Sequence, residues 1–502
     1  MNSKQERYVL KNAKIKTITQ ISRDLGIPER KIRRFLEKEG ALPHKTGAAK
    51  NLVGKTSFSL MAAGVMFIIA LTVRIHPVVT QPETFRHGAG IFGDTHLYHR
   101  IAYNLYKGHG FSGTDDGRAY GAARTAARLE YRPAIARGPA YPAFMALVYR
   151  LFGSEKYMEL IDTWHYNWDK IRIAQCVLDS ITCLFVFFMA WNICRKKLLP
   201  AAISSLIYCF NPNNIYYTKA LLSESLTTFL LTGAVLLCVL ALKSHRTYLW
   251  LPTGIFFALT AMSRPEYLIF PAILALYVIM VNRVILKKAL ASVVLLSIGF
   301  ALFVSPWTMR NWIVFKKPIA VSVGGVGYGL FLGTFETNTN WEGWGVLPDA
   351  AFKDPAEKRQ ANEIYERYNR LMQEGTIDVK EPDDAFIKIA LDRIRQNPVQ
   401  CFKSWIVRIP RLWYIKYINM YGKPEASGGI FIIYFAFAFF AILRSEKSQR
   451  TLMAPVLLLF IYLTVIFLPF HIESRYSINL LPSILCLTGI GIYKLLPRLL
   501  KR

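Results

Sequence analysis

An all-α polytopic membrane fold is predicted by three properties of the 502-residue sequence. Hydrophobic residues make up 53% of it, above the usual soluble-domain range. They gather into about ten apolar segments, near 58–79, 170–193, 198–218, 220–242, 248–263, 266–282, 289–308, 429–443, 452–470 and 477–496. Basic residues then fall in alternate connections: Arg195-Lys196-Lys197, Lys243 with Arg246, Arg283 with Lys287-Lys288, 444–450 and 494–502. The formal charge of +29 therefore speaks first to topology. Lys and Arg favour cytoplasmic connections, so both termini are expected inside. Two long loops, about 80–169 and 309–428, and short turns at 211–223, 263–267 and 471–475 are then expected outside. A bilayer core about 30 Å thick takes about 20 helical residues, which leaves the region of 262–267 and the segment 429–443 the least suited to crossing. No cleavable leader is expected, because the first apolar run begins too late.

Residues 1–55 read as a small cytoplasmic module ahead of the membrane domain at 57–500. Residues 17–25 suit a short helix, Gly26-Ile27-Pro28 a turn, and 29–39 a second helix. Ile21, Leu25, Ile27, Ile32 and Leu36 would form a shared core. The pattern resembles a helix-turn-helix unit, whose second helix carries Arg30, Lys31, Arg33 and Arg34 toward phosphates. Such patterns are short and common. A basic tail against anionic lipid headgroups is the favoured reading, and nucleic acid the less favoured one. Residues 43–55 suit a linker.

The first outer loop opens on Gly93-Asp94-Thr95-His96-Leu97-Tyr98. Leu97, Ile101 and Leu105 recur every four residues with Tyr98 and Ala102 alongside, so an amphipathic helix lying in the membrane interface is expected. Gly108-His109-Gly110 ends it. An irregular stretch, 111–128, precedes Tyr131-Arg132-Pro133 and then Arg137-Gly138-Pro139-Ala140-Tyr141-Pro142. The apolar run 143–152 is too short to span and suits a second interfacial helix. Asp94 fits a helix cap as well as a reacting acid. Arg137, just before a helix start, fits a phosphate seat or a side chain snorkelling to lipid phosphate.

Glu224 stands near the outer end of a span, after Asn213, Asn214, Tyr216, Tyr217 and Lys219. An ionisable group there calls for a polar cavity, or caps its own helix after Ser223. Arg264, Arg310 and Arg475 also fall at outer ends of spans, where they could join Arg137 on one phosphate. Asp162 and Asp169 sit among Trp164, Tyr166 and Trp168, which suit an interfacial aromatic belt. His96, His99 and His109 lie near Asp94 without a distinctive metal-ligand spacing. Six of the seven cysteines lie in or beside spans and only Cys401 in an outer loop, which suits buried thiols better than disulfides. The second outer loop is long enough for a mainly helical domain. Aromatic clusters at 328–334 and 341–345 precede helices from Asp354-Pro355 to about Gln373, from Asp383 to Arg395, and from Pro398 to Lys416.

The motifs have an order. Gly93-Asp94 with Tyr98 is followed by Arg137-Gly138-Pro139-Ala140-Tyr141-Pro142, Leu222-Ser223-Glu224-Ser225-Leu226 and Ser263-Arg264-Pro265-Glu266. Ser305-Pro306-Trp307 with Arg310-Asn311, then Glu473-Ser474-Arg475-Tyr476, complete the set. In this order, on one face and across about 57–500, the chain resembles the GT-C class of polytopic glycosyltransferases. The closest groups are bacterial relatives of the protein O-mannosyltransferases and of the lipid A aminoarabinose transferases. The resemblance implies a multi-pass protein of the bacterial inner membrane. It would move a sugar from a polyprenyl-phosphate carrier to a cell-envelope acceptor on the outer face, with inversion at the sugar. It makes Asp94 the catalytic base and sets Glu224 beside it, orienting the acceptor or a bound cation. It gives the carrier phosphate to Arg137 and Arg475 first, with Arg264 and Arg310. It brings Tyr98, Tyr141, Lys219 and Tyr476 to the substrates. Whether a divalent cation takes part stays open, as do the sugar and the acceptor (lipid, polysaccharide or protein). A polytopic transporter is the alternative, although the spans carry few charges and no clear repeat. A membrane-tethered DNA-binding regulator ranks behind both.

Overall fold

Packing divides the chain into two units, Met1–Gly64 and Val65–Arg502. The computed structural model describes residues 3–12, 18–39, 45–80, 93–115, 130–153, 169–281, 286–335, 355–374, 377–413, 417–418, 424–425 and 429–499. In the first unit, helices α1 (Ser3–Asn12), α2 (Ile18–Leu25) and α3 (Glu29–Lys38) close on Val9, Ile21, Ile32 and Leu36. Helix α4 (Lys45–Thr80) begins in this unit and ends in the other.

The second unit is a helical bundle with a helical cap. Its elements are α5 (Gly93–Tyr106), strands β1 (Ser112–Asp115) and β2 (Glu130–Pro133), α6 (Ala140–Phe152), α7 (Asp169–Ile193), α8 (Leu198–Cys209) and α9 (Pro212–Tyr217). Then follow α10 (Glu224–Ser244), α11 (Trp250–Ser263), α12 (Phe270–Val281), α13 (Leu286–Phe315) and α14 (Val326–Phe335). Helices α15 (Pro355–Glu374), α16 (Lys380–Gln396) and α17 (Pro398–Trp413) lead to strands β3 (Tyr417–Ile418) and β4 (Pro424–Glu425). The chain closes with α18 (Gly429–Leu443), α19 (Lys447–Phe467) and α20 (Leu481–Leu499). The strands form two short antiparallel ribbons, β1–β2 and β3–β4.

Six described helices are long and apolar enough to cross a membrane: Ser57–Thr80, Asp169–Ile193, Glu224–Ser244, Leu286–Phe315, Lys447–Phe467 and Arg475–Leu496. Several other apolar segments are cut short for local reasons. Pro212 starts a new turn, and the Asn211 side chain accepts from the Asn214 amide at 3.2 Å, so the run after 198 becomes two helices. The Arg264-Pro265 step separates α11 from α12, because Pro265 disfavours helical backbone at Arg264, which is extended.

Helix α10 is the hub, the most buried of the six at 83%, packed on α7, α11 and α19. Helix α11 crosses α13 at reciprocal glycines. A Cβ on Gly254 would lie 2.1 Å from the Leu296 carbonyl oxygen, and one on Gly299 would lie 2.1 Å from that of Leu251. Backbones approach this closely only where side chains are absent.

Outside the bundle, α14, α15 and α16 form a helical cap. Tyr328, Phe331, Tyr368, Phe386 and Ala390 share its core with Ala136 of the first loop. The Asp383 carboxylate accepts from the amides of Gly325, Gly327 and Tyr328 at 3.0–3.1 Å, binding α16 to the amino-terminus of α14. Helix α16 thus starts at Lys380, three residues before the acidic pair that seemed to open it. The cluster at 341–345 lies outside the described residues.

The bundle also holds a buried ion pair. Arg74 of α4 bonds Asp179 of α7, which accepts a second bond from the Tyr208 hydroxyl of α8. Arg74 also donates to the Ala70 and Cys209 carbonyl oxygens at 3.2 and 3.1 Å. A charge in low dielectric persists only when paired and hydrogen-bonded. Asp179→Leu should therefore cost about 3–5 kcal/mol by stranding Arg74, and Arg74→Met/Asp179→Leu should recover most of it. Thermal unfolding of detergent-solubilised protein reads both; equal losses in the single and double variants would rule out a mutually dependent pair.

Candidate active site

Four connections bring charged side chains to one place. The first is the amino-terminus of α5. Its apolar stripe is buried on protein rather than laid open to lipid, with Leu97 and Ile101 packed on Ala134 and Phe111. That contact turns Asp94 inward. Thr95 fixes the helix further by donating to the Leu221 carbonyl oxygen at 3.2 Å.

The second connection runs from β2 into α6. Its base is held by Arg310, which donates to the carbonyl oxygens of Phe111 and Ala134, both at 3.1 Å, and stacks on Trp307. Gly138 then lies so close to the end of α11 that a Cβ would stand 2.2 Å from the Met262 carbonyl oxygen. Arg137 is thereby fixed, and its Nη2 meets Asp94 Oδ1 at 2.5 Å. The third connection is the Arg264 turn: Arg264 Nη1 is 3.1 Å from Glu224 Oε1, and its Nε is 2.5 Å from Glu266. The fourth precedes α20. Arg475 Nε is 2.5 Å from Glu473, and its Nη1 is 3.9 Å from Glu224. Both Arg264 and Arg475 lie over the Tyr476 ring, at 5.4 and 5.8 Å.

Glu224 is almost fully buried between these cations, whereas 34% of the Asp94 side chain stays accessible. Burial raises the Asp94 pKa, but Arg137, Arg475 and Arg264 together outweigh it and hold the carboxyl below its ordinary value. Burial likewise works against Glu473, and Arg475 with His471 holds it low. The Arg137 and Arg264 guanidiniums are stabilised in turn despite burial, by Asp94 and by Glu266 with Glu224 respectively. Tyr98 spans the two acids. Its hydroxyl pKa is raised by burial, lowered by Arg137, and raised by Asp94 and Glu224, and it bonds Ser223. Its ring meets Tyr141 edge-on at 4.9 Å, and the Tyr141 hydroxyl donates to Gln175 Oε1 at 2.7 Å.

Asp94, Glu224, Arg137, Arg264, Arg475, Tyr98, Tyr141 and Tyr476 are thus brought together. Lys219 and Arg310 are placed elsewhere. Lys219 is fully buried with Cys176, Arg74 and Asp179 around its ammonium, whose pKa burial pushes down to about 7. Arg310 serves the ribbon base. Asp169 pairs with Arg172 at 3.3 Å. Asp162, Trp164, Tyr166 and Trp168 lie outside the described residues. His99 Nδ1 is 2.6 Å from the Tyr149 hydroxyl, and burial, His96 and Arg100 hold the ring's pKa down to about 3. Among the described residues no three His, Cys, Asp or Glu side chains converge as metal ligands.

Sequence reading passed over Glu266, Glu473 and Tyr217. The acids stand two positions from Arg264 and Arg475, inside motifs already noted, and that spacing was the available signal. Tyr217 shares the field of Glu224, Arg475 and Glu473. Gln175, within a span, was also missed; its Nε2 donates to the carbonyl oxygens of Thr218 and Ala220, both at 2.9 Å.

The Asp94–Arg137 pair has a defined pH signature. An acid with a lowered folded pKa contributes stability above its unfolded value, about 3.9, and that contribution is lost as pH falls through the folded value. Asp94→Asn should destabilise the protein slightly at pH 7, by at most about 1 kcal/mol for so accessible a pair, and the difference should shrink as pH falls below the ordinary carboxylate value. Melting curves across pH 3–8 check this; a deficit that grows toward acid would contradict it.

A family model described as dolichyl-phosphate-mannose-protein mannosyltransferase matches residues 136–309, from the Arg137 segment into α13. No curated protein matches the sequence. Among solved structures, the apo oligosaccharyltransferase of Archaeoglobus fulgidus aligns with a TM-score of 0.50 at 13% identity, over 88% of this chain and 51% of that one. ArnT from Cupriavidus metallidurans bound to undecaprenyl phosphate aligns with a TM-score of 0.34 at 12% identity, over 88% and 78%. The chain spans about half the length of the archaeal protein. The family match lies inside the region that aligns with the archaeal protein, and the chain is a multi-pass membrane protein whose fold is like that of the archaeal oligosaccharyltransferase.

Proposed function

We propose that this protein transfers a sugar from a polyprenyl-phosphate carrier to a nucleophilic acceptor group at the outer surface of the membrane. The observation that carries the reading is the meeting of Asp94 and Glu224 with Arg137, Arg264 and Arg475 at the ends of membrane helices. Acids suit an acceptor hydroxyl and a sugar gaining positive charge; guanidiniums suit a departing phosphate. The family matched over 136–309 is named for a dolichyl-phosphate-linked mannose, which supports a lipid-phosphate donor.

In this reading the acceptor oxygen attacks the anomeric carbon while the bond from that carbon to the phosphate oxygen breaks. The acceptor proton passes to Asp94, and the electron pair leaves with the carrier phosphate, whose added charge Arg475 and Arg264 meet. Direct displacement inverts the anomeric centre. Glu224, buried between both arginines, keeps them aimed. Arg137 is shared: it pairs with Asp94 at rest and turns to the donor phosphate on binding, which restores basicity to the carboxylate as the acceptor arrives. Tyr98, Tyr141 and Tyr476 line the approach.

The convergence also supports a topology. Residues 93–94, 223–224, 264–266 and 473–476 meet, so all four connections share one side of the membrane, as the alternation of basic connections suggests for the outer side. Both termini are then cytoplasmic, and the shorter apolar helices complete about ten crossings. The donor sugar, hexose or pentose, and the envelope acceptor are left to assay. One observation favours a transporter, the intramembrane Arg74–Asp179 pair. That pair is closed by Tyr208 and the Cys209 carbonyl, the arrangement of a structural clasp rather than of a substrate path.

The test is sugar transfer from labelled polyprenyl-phosphate donors in membranes carrying wild type or Asp94→Asn at matched abundance. Loss of a general base should lower transfer by about a hundredfold or more. Equal turnover would remove Asp94 from the chemistry. A second expectation concerns pH. Removing the Arg137 cation lets the Asp94 pKa rise, and Asp94 must be ionised to act. The acid limb of kcat/KM should therefore move to higher pH in Arg137→Gln. An unmoved limb would separate Arg137 from Asp94 in function.

A further inference from the structure

Helices α1, α2 and α3 take no part in the proposed transfer, yet they fold around a core of their own. Helix α2 ends at Leu25, Gly26 takes a φ of +65°, and α3 starts at Glu29. The turn is stapled twice: Ser22 Oγ donates to the Ile27 carbonyl oxygen at 2.6 Å, and the Ile27 amide donates to the Ser22 carbonyl oxygen at 3.2 Å. Helix α1 closes the third side through Val9, and Tyr8 donates to Asp24 at 2.9 Å. Ile32 and Leu36 point into this core, and Phe35 packs against it. Arg30, Lys31, Arg33 and Arg34 are all exposed, with Glu29 at the helix start. The first 64 residues carry fourteen Lys and Arg against five Asp and Glu.

A lipid surface attracts basic charge whether or not the segment is folded, and it rewards apolar side chains that enter it. Helix α3 offers none, since its apolar residues are enclosed by α1 and α2. What the fold adds to the charge is shape. A rigid helix of 10 residues, about 15 Å long, presents its basic side chains at fixed spacing beyond a tight turn. A major groove about 12 Å wide accepts a helix of this kind and lines it with phosphates. This reverses the preference that charge alone suggests.

We propose that the unit formed by α1, α2 and α3 binds double-stranded nucleic acid through α3, with Arg30, Lys31, Arg33 and Arg34 on backbone phosphates. These contacts hold the duplex without reading its sequence.

The experiment uses the full-length protein in phosphatidylcholine nanodiscs, titrated against a fluorescent mixed-sequence duplex of roughly 20 base pairs. Four phosphate contacts give a slope of log affinity on log salt near −3.6, a loss on the order of a hundredfold between about 50 and 200 mM salt. Replacing all four basic residues by Gln leaves the core intact; it should weaken binding at least about tenfold at low salt and flatten the slope. The same variant should keep wild-type sugar transfer, which separates this site from the membrane site. Ile32→Asp, which breaks the core but keeps the charge, should weaken duplex binding too. Wild type that leaves the duplex free at low salt, or a Gln variant that binds equally, overturns the proposal. Protection of α3 from trypsin in phosphatidylglycerol nanodiscs, with no duplex binding in phosphatidylcholine, would assign the basic face to lipid instead.

Discussion

The first turn of α10 is the constraint on which the membrane unit depends. Its buried hydroxyls each hold a different part of the chain. Ser225 donates to the Tyr217 carbonyl oxygen at 2.7 Å, Thr227 meets Ser263 at 2.7 Å, and Thr228 donates to Asn479 at 3.1 Å. These bonds fix α9, the end of α11 and the turn before α20 relative to one helix end. Arg264 and Arg475, which flank Glu224, stand within a few residues of those tethers. In low dielectric an unmade bond is expensive, so the tethers set distances that apolar packing alone would leave loose.

A second set of polar contacts works from below. Along α7, Arg172 and Gln175 reach the carbonyl oxygens of Lys219, Thr218 and Ala220, while Asp179 draws Arg74 onto the Cys209 carbonyl oxygen. These residues recur at three- and four-residue spacing, one helical face. The face holds the segment 218–220, just past the end of α9, through its backbone carbonyls. Gln175 also receives the Tyr141 hydroxyl, so it carries the register of α6 to the segment before Glu224.

The sequence disclosed what local chemistry fixes. Apolar runs gave the long helices, Pro355 and Pro398 marked helix starts, and the order of short motifs pointed to the fold. It could also place Arg137, Arg264, Arg310 and Arg475 at helix ends, because such positions follow from span boundaries. It could not show that three meet the acids while Arg310 turns to backbone carbonyls. That outcome depends on the Gly138 contact with Met262 and on the ribbon base at Phe111 and Ala134, both non-local. Lys219 misled for a related reason. Its position beside Glu224 in the chain suggested the site, but the turn after Thr218 buries its side chain toward Arg74 and Asp179. Buried charge inside the bundle was legible in principle, since Arg74 and Asp179 each interrupt an apolar run.

The charge arrangement bears on how such a site meets its substrate. At rest each carboxylate faces a guanidinium, and four carboxylates share three of them. A lipid-borne phosphate brings negative charge of its own and competes with those carboxylates for the same cations. Asp94 is the carboxylate with most to gain from that competition: it is the accessible one, and Arg137 holds it in a single close contact. Glu224, Glu266 and Glu473 are more enclosed and share their cations pairwise. Under the proposed function the arrangement would separate one acid whose basicity depends on donor binding from three that keep Arg264 and Arg475 in place. In the proposed reaction that asymmetry couples donor arrival to activation of the acceptor, and no movement of the helices is required for it.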